Sequence, residues 1–349
     1  MTVPDLPPAL LRLTIDRTAL AANWHLLDRM SGAAAAGAAI KADAYGLGVA
    51  AVVPALLDAG ARQFFVAHWC EVAPVLAAGA APEQIAVLHG VNTPADAAYA
   101  RATGVRPVIN SVRQAALWRA AGGGLCHLMI DTGMNRLGLP PADIGDPAIA
   151  ALDIDIVLSH LASAEDDTDQ SARQLALFAA ARSGVSARRA SLANSAGIAL
   201  GSAYHFDVTR PGLALYGGEP CDALAGELAQ VAFPQTMVMQ IRSVPAGGYV
   251  GYNATFRAPH DMRTATVSLG YADGILRCWG EGGALQHAGR PLKILGRVSM
   301  DMIVVDCTEA PDLAEGDFCD LPYSLAAAAQ TTGLSQYELL TVLGDRFAR

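Results

Sequence analysis

Lysine is almost missing from this chain. Of 349 residues 24 are basic, and only Lys41 and Lys293 are lysines. Chemistry that needs a primary side-chain amine therefore has two candidates. Aromatic residues are scarce at 6%, and no basic run or basic–aromatic stripe interrupts a formal net charge of −9. That balance argues against nucleic acid and against an anionic membrane surface as partners. No apolar run approaches the ~18 residues of a spanning helix. The alanine-rich stretch Ala33–Ile40 is too short and ends in a charge. The opening MTVPDLPPALLRLTIDRTAL lacks a charged segment followed by an apolar run and a cleavage site. The six cysteines (Cys70, Cys126, Cys221, Cys278, Cys307, Cys319) are scattered, with no CxxC. They read as free thiols in a reducing compartment, so a cytoplasmic protein without a metal site is expected.

What is abundant is apolar residue, 52% of the chain, enough to fill two cores. From about residue 36 to 215, short apolar runs alternate with helical patterns. The strands read as Ala38–Lys41, Gln63–His68, Ile85–His89, Val105–Asn110, Leu125–Asp131, Ile154–His160, Arg189–Asn194 and Phe206–Arg210. Helical patterns lie between them at Val49–Ala59, Pro94–Thr103, Val112–Ala121 and Ser171–Ser183, with Gly60, Gly79, Gly104, Gly122 and Gly184 as stops. Continuous apolar strands alternating with helices indicate buried parallel strands in βα units. Eight such units predict an α/β fold with a (β/α)8 barrel, although periodicity alone also permits a doubly wound sheet. After Gly217 the pattern changes. Gln235–Val244, Thr264–Leu269, Pro291–Leu295 and Met302–Asp306 read as strands separated by the turns Pro245–Gly248, Gly280–Gly283 and Gly289–Arg290. A mainly β second domain is predicted, closed by a helix whose Ser335 and Glu338 have capping-box spacing. The expected domains are residues 1–225 and 226–349.

The polar residues at the strand ends are Lys41, His68, His89, Asn110, Asp131, His160, Asn194 and Arg210. In a barrel, the C-terminal strand ends converge on one mouth, where active sites are built. One histidine there is more often a packing residue; a ring of polar ends is harder to dismiss. Lys41 stands where an apolar strand meets the turn of AAIKADAYGLG. An amine desolvated by Ile40 and Tyr45 would have a lowered pKa and could condense with a carbonyl. Lys293 lies inside a β segment and reads as structural. The triplet Gly122–Gly124 precedes a strand and belongs to the opposite barrel face.

IKADAYGLG resembles the cofactor-lysine motif of the alanine racemases, and the likeness continues in order along nearly the whole chain. LTIDRTALAANWHLL is similar to that family's first strand and helix. DTGMNRLG (Asp131–Gly138), SHLASAE (Ser159–Glu165), ANSAG (Ala193–Gly197), TRPGLALYG (Thr209–Gly217), LGYADG (Leu269–Gly274) and GRVSMD (Gly296–Asp301) follow. The resemblance implies a barrel plus a β domain, pyridoxal 5'-phosphate as cofactor, and interconversion of L- and D-alanine by two bases, for cell-wall synthesis or catabolism. Lys41 would carry the cofactor and serve one face of the α-carbon; Tyr271 would serve the other. A tyrosine is a poor base near neutrality, so it needs partners such as His160 and Arg210. Arg210 would face the pyridine nitrogen, where a permanent cation disfavours ring protonation and so suppresses transamination. Asn194, Ser195, Gly212, Leu213 and Tyr45 would surround the phosphate. Arg136 would bind the substrate carboxylate or the cofactor's phenolic oxygen, with Met300 assisting through its backbone amide and Asp301 nearby on the substrate side.

Two positions depart from the family pattern. Where many members carry a carbamylated lysine that braces the arginine, this chain has Met129. Where relatives place a tyrosine near the C-terminus, it has Asp345 and Phe347. The resemblance also implies a head-to-tail homodimer in which Tyr271 comes from the partner subunit. Competing readings are a serine or broad-specificity racemase, a non-catalytic pyridoxal-phosphate-binding barrel, and a decarboxylase of the same plan. The last would need a cysteine in a Gly/Pro-rich motif, a setting that Cys278 and Cys307 lack.

Overall fold

The computed structural model describes residues 7–166, 169–280 and 282–349. The first six residues of the opening segment and Glu281 of the expected turn Gly280–Gly283 lie outside them. The chain divides into two compact units: Arg17–Ala229, and the residues up to Asp16 together with Gln230–Arg349. By contacts the chain divides at 229/230, and the first strand groups with the β unit. This strand, β1 (Leu11–Ile15), buries Leu11 and Leu13 on one face and pairs antiparallel with a second-unit strand, Leu11 opposite Thr236. Period-two burial against an antiparallel neighbour places it there, a pairing that its position in the sequence does not announce.

The unit Arg17–Ala229 is the barrel. Its strands are β2 (Ala35–Ala36), β3 (Ala38–Ala39), β4 (Phe64–Val66), β5 (Ile85–Val87), β6 (Arg106–Ile109), β7 (Leu125–Met129), β8 (Asp153–Leu158), β9 (Ala187–Ser191) and β10 (Val208–Thr209). Strands β3 to β9 pair in parallel in sequence order, and β10 pairs in parallel with β2. The ring closes through β10. Ala35 N and Gly37 N donate to Asp207 O and Thr209 O, while Asp207 N and Arg210 N donate to Ala190 O and Ala193 O. Counting β2 and β3 as one interrupted strand gives eight, the (β/α)8 reading rather than the doubly wound one.

Strand alternation sorts the core into two shells. Phe65, Ala86, Val108, Met129, Ile156, Leu158 and Val208 form one cluster. Their neighbours, including Ile109, Leu128 and Val157, pack with Trp118 and Phe178 of the surrounding helices. Burying each such large side chain stabilises the fold by about 1.5–3 kcal/mol. The helices form where the sequence signals them. Pro94–Thr103 begins with Thr93 accepting from Asp96 N at 3.1 Å and stops at Gly104 in a left-handed conformation. Val112–Ala120 starts on Ser111, which accepts from Gln114 N at 3.2 Å.

The second unit is a β barrel. Its strands β11 (Ala232–Val244), β12 (Tyr249–Val250), β13 (Phe256–Arg257), β14 (Met262–Val267), β15 (Ala284–His287), β16 (Arg290–Leu295), β17 (Ile303–Asp306) and β18 (Phe318–Asp320) pair antiparallel. The order β1-β11-β14-β17-β16-β15-β18 returns to β11 through the β11–β18 pairing, so the sheet closes on itself. The closing helix Gln336–Thr341 is capped as expected, Ser335 accepting from Glu338 N and Glu338 accepting from Ser335 N at 2.8 Å. No helix among the described residues is long and apolar enough to cross a membrane.

Candidate active site

Lys41 follows the end of β3, at the C-terminal rim of the barrel. The four residues after it, Ala42, Asp43, Ala44 and Tyr45, all have φ between +51° and +58°, one turn of left-handed helix. For L-residues each such conformation costs roughly 1–2 kcal/mol, so it persists only where surrounding bonds over-determine it. Those bonds are present. The Glu71 carboxylate accepts from Ala42 N, from Ala67 N at 2.7 Å and from His68 N at 2.8 Å. Asp43 accepts from Val49 N at 2.8 Å, and Gly46 N donates to Ala42 O at 2.8 Å. Burial lowers the pKa of Lys41, the positive charge of Arg136 lowers it further, and Glu71 partly opposes them. The outcome is an amine biased towards its neutral, nucleophilic form. Lys293 pairs within β16 opposite Ala284, in the second unit.

Tyr45 ends the left-handed turn with its ring buried against Tyr216, centroids 4.9 Å apart, and burial pushes its phenol up to about 12. The hydroxyl of Tyr216 donates to Ala39 O at 2.9 Å. The Tyr45 hydroxyl lies so close to Gly212 that a Cβ there would stand 2.3 Å from it. Only glycine permits that approach. Ser195 Oγ accepts from Gly212 N at 2.9 Å and from Ala214 N at 3.3 Å, and Asn194 accepts from Gly197 N at 2.8 Å. Leu213 is buried in the turn Leu213–Tyr216. Hydroxyls and close-approaching backbone amides after β9 and β10 thus converge with Tyr45, the last two strand positions where such barrels commonly hold phosphate.

Arg210 is buried, with no carboxylate bonded to it among the described residues. Its guanidinium donates to Ser191 Oγ, Ser159 O and Leu192 O, and its Cζ lies 5.9 Å from the Phe65 ring centroid. Burial lowers its pKa to about 10, which still leaves it charged at neutral pH. Burial, reinforced by the charges of Arg210, Arg136 and Lys41, pushes His160 down to about 3, so its imidazole stays neutral. His68 and His89 stack edge-on, centroids 4.2 Å apart. Burial lowers the pKa of His89, as do His68, Lys41 and Arg136.

Arg136 leaves a loop held by Asp131, whose carboxylate accepts from the backbone N–H groups of Gly133, Met134, Asn135 and Arg136. Its side chain is exposed and makes no ion pair among the described residues. Met129 lies in the apolar cluster instead, where it offers no charge to brace that guanidinium. The barrel unit therefore brings together Lys41, Tyr45, Arg136, His160, Asn194, Ser195, Arg210, Gly212 and Leu213.

Tyr271, Met300 and Asp301 are together in the β unit. Tyr271 N donates to Ser299 O and Ala272 N to Met300 O, both at 3.0 Å, which staples the Tyr271 turn to the Ser299–Met302 loop. The Arg277 guanidinium carbon lies 5.6 Å from the Tyr271 ring centroid. Asp301 is bound by Arg346, and Phe347 of the tail is buried in the core. Of the residues that fix these groups, Glu71 and Arg346 lie outside every motif, while Asp43 and Tyr216 lie inside motifs that gave them no role. Glu71 alone had a readable sign, its position three residues after a strand-end residue.

Fold and mouth define an α/β barrel protein with an appended β barrel, built around a desolvated lysine amine. Models for the alanine racemase N-terminal domain and C-terminal domain match residues 15–220 and 231–349. An alanine racemase from Methylobacterium nodulans is 42% identical, covering 97% of this chain and 95% of that protein. One from Rhizobium meliloti is 39% identical, covering 100% of this chain and 98% of that protein. The crystal structure of alanine racemase from Bartonella henselae with covalently bound pyridoxal phosphate superposes with a TM-score of 0.90 at 35% identity, covering 98% of this chain and 99% of that one. The chain belongs to the alanine racemase family.

Proposed function

We propose that this protein interconverts L- and D-alanine with pyridoxal 5'-phosphate held on Lys41. What carries the reading is the mouth itself: a desolvated lysine amine, a buried arginine bonded to a hydroxyl and carbonyls, and a hydroxyl-and-amide cradle on one rim. The residues fit the cofactor. Tyr45, Ser195, Gly212 and Leu213 would hold its phosphate, supported by Asn194, and Arg210 would face its ring nitrogen. Bound there, the cofactor supplies an electron-withdrawing ring that makes the α-proton removable.

The chain's own groups do the rest. Lys41, its pKa lowered by burial, accepts or returns the α-proton on one face. Tyr271 does so on the other, because a single base would return the proton to the side it left. His160 stays uncharged and can pass a hydrogen bond without adding a second cation beside Arg210. Arg136 anchors the substrate carboxylate, with Met300 and Asp301 bounding the amino acid. The working form is a homodimer in the cytoplasm, each site joining Lys41 of one protomer to Tyr271 of the partner subunit. In the β unit, Tyr249, Tyr252, Met300 and Met302 are exposed, apolar side chains suited to a second copy. The barrel, expected as residues 1–225, would be the cofactor-binding domain, and 226–349 the domain that donates Tyr271.

Borohydride reduction followed by peptide mapping should place the cofactor on Lys41, and purified protein should racemise L-alanine faster than L-serine or L-lysine. A label on Lys293, or none, would overturn the site.

A further inference from the structure

Arg346 is three residues from the end of the chain, yet it holds two loops at once. Its Nε donates to Asp273 Oδ1 at 2.6 Å and its Nη1 to Asp301 Oδ1 at 2.8 Å. Asp273 belongs to the turn Tyr271–Asp273 itself, and Asp301 to the loop that accepts the Tyr271 and Ala272 amides. We propose that Arg346 is a positioning residue for Tyr271, clamping both loops so that the phenol is held where proton transfer requires it. The inference rests on the racemase reading for the role of Tyr271 and on the β unit's geometry for the clamp.

Asp273 is 1% exposed, and its other oxygen accepts from Gly270 N at 2.9 Å. A buried carboxylate deprived of its cation is an uncompensated charge that the turn must move to relieve. The Asp301 arm is exposed, and an exposed ion pair contributes little by itself. Its importance is geometric, since it ties the second loop to the same guanidinium. Arg346 is in turn fixed from both sides. Ala348 exchanges backbone bonds with Leu13 N at 2.8 Å and Leu11 O at 3.0 Å, and Phe347 is buried between them. Upstream, Gly344 N donates to Asp273 O at 3.2 Å. Gly274 has φ +94° and lies so near the tail that a Cβ would meet Val342 O at 2.3 Å. The tail is therefore built against the Tyr271 turn, with the guanidinium as its polar contact.

The test compares cofactor-loaded Arg346→Ala, Arg346→Lys and Arg346→Gln with wild type and with Arg290→Ala, which breaks an exposed ion pair elsewhere in the unit. Three quantities are read: racemisation, exchange of the α-hydrogen for deuterium from each enantiomer, and backbone hydrogen exchange over 270–275. Misplacing a reacting group by about 1 Å can cost 10²-fold, so Arg346→Ala should lose kcat by about that factor while KM changes little. Exchange served by Lys41 should survive while exchange served by Tyr271 falls. Protection over 270–275 should drop, Arg346→Lys should recover most of both, and Arg290→Ala should match wild type. Wild-type kcat, an equal loss of exchange on both faces, or unchanged 270–275 protection in Arg346→Ala would overturn the clamp. If Arg346→Ala does not fold, Arg346→Gln carries the test, with intermediate losses expected and wild-type behaviour overturning it. Failure of the racemase reading itself would appear as an inactive wild type, with the protection data still deciding the clamp.

Discussion

A single buried cation shows how little a residue's type says without its surroundings. Among the described residues Arg210 bonds to no carboxylate; a hydroxyl and two carbonyls take its donors. Those acceptors leave its positive charge uncancelled, which is what a group set against an unprotonated ring nitrogen requires. Arg210→Glu should reverse that polarity. We expect racemisation to fall roughly tenfold or more, as when a preorganised electrostatic group is lost, while the share of turnovers ending in transamination rises. Following alanine consumption together with pyruvate formation checks both. An unchanged partition between the two products would remove the argument that Arg210 weakens the ring as an electron sink. Arg136 contrasts with Arg210. With Met129 in the apolar cluster, its orientation depends on a loop organised by Asp131 rather than on a charged brace.

At the scale of elements, the left-handed turn after Lys41 makes a prediction opposite to ordinary helix rules. Ala42 is exposed with φ +53° and ψ +50°. In a right-handed helix Ala→Gly costs about 1 kcal/mol. Here glycine removes a Cβ penalty of roughly 1–2 kcal/mol against an entropic cost of roughly 0.5–1 kcal/mol. Ala42→Gly should therefore leave unfolding stability unchanged or raise it by about 1 kcal/mol. Thermal and urea unfolding would reveal it, and a clear loss would show the turn to be unstrained. The left-handed conformation of this turn was illegible in the sequence, because KADAY has the composition of a right-handed helix, and the Glu71 and Asp43 carboxylates that help to hold it otherwise act through contacts that no motif announces. The barrel strands were legible because each apolar run stops at a polar rim residue; Lys41, His160 and Arg210 stand out in the sequence for that reason. In the second unit β11, β14, β16 and β17 were legible from their own apolar or alternating patterns. Strands β12, β13, β15 and β18, two to four residues each, are made by their partners rather than by their own pattern.

For the whole molecule, the two groups proposed to move the α-proton lie in different compact units, Lys41 in one and Tyr271 in the other. If Tyr271 acts across a dimer, function can be recovered from two inactive chains. Lys41→Ala should lose cofactor attachment. Tyr271→Phe should keep the cofactor and lose racemisation by about 10²–10⁴-fold, the usual worth of a general acid–base. A mixed dimer would then contain one site with both wild-type groups and one with neither, whereas each parent dimer lacks one group at both sites. With equal chains and free exchange, half of the dimers are mixed and one of their two sites is intact, so about one quarter of wild-type activity should return. Subunit exchange would be verified by mass-tagged heterodimers, and rates followed with time after mixing. Activity that rises in step with heterodimer formation supports the shared site. An inactive mixture with proven exchange confines both groups to one chain, and an active Tyr271→Phe homodimer removes tyrosine from the two-base scheme altogether.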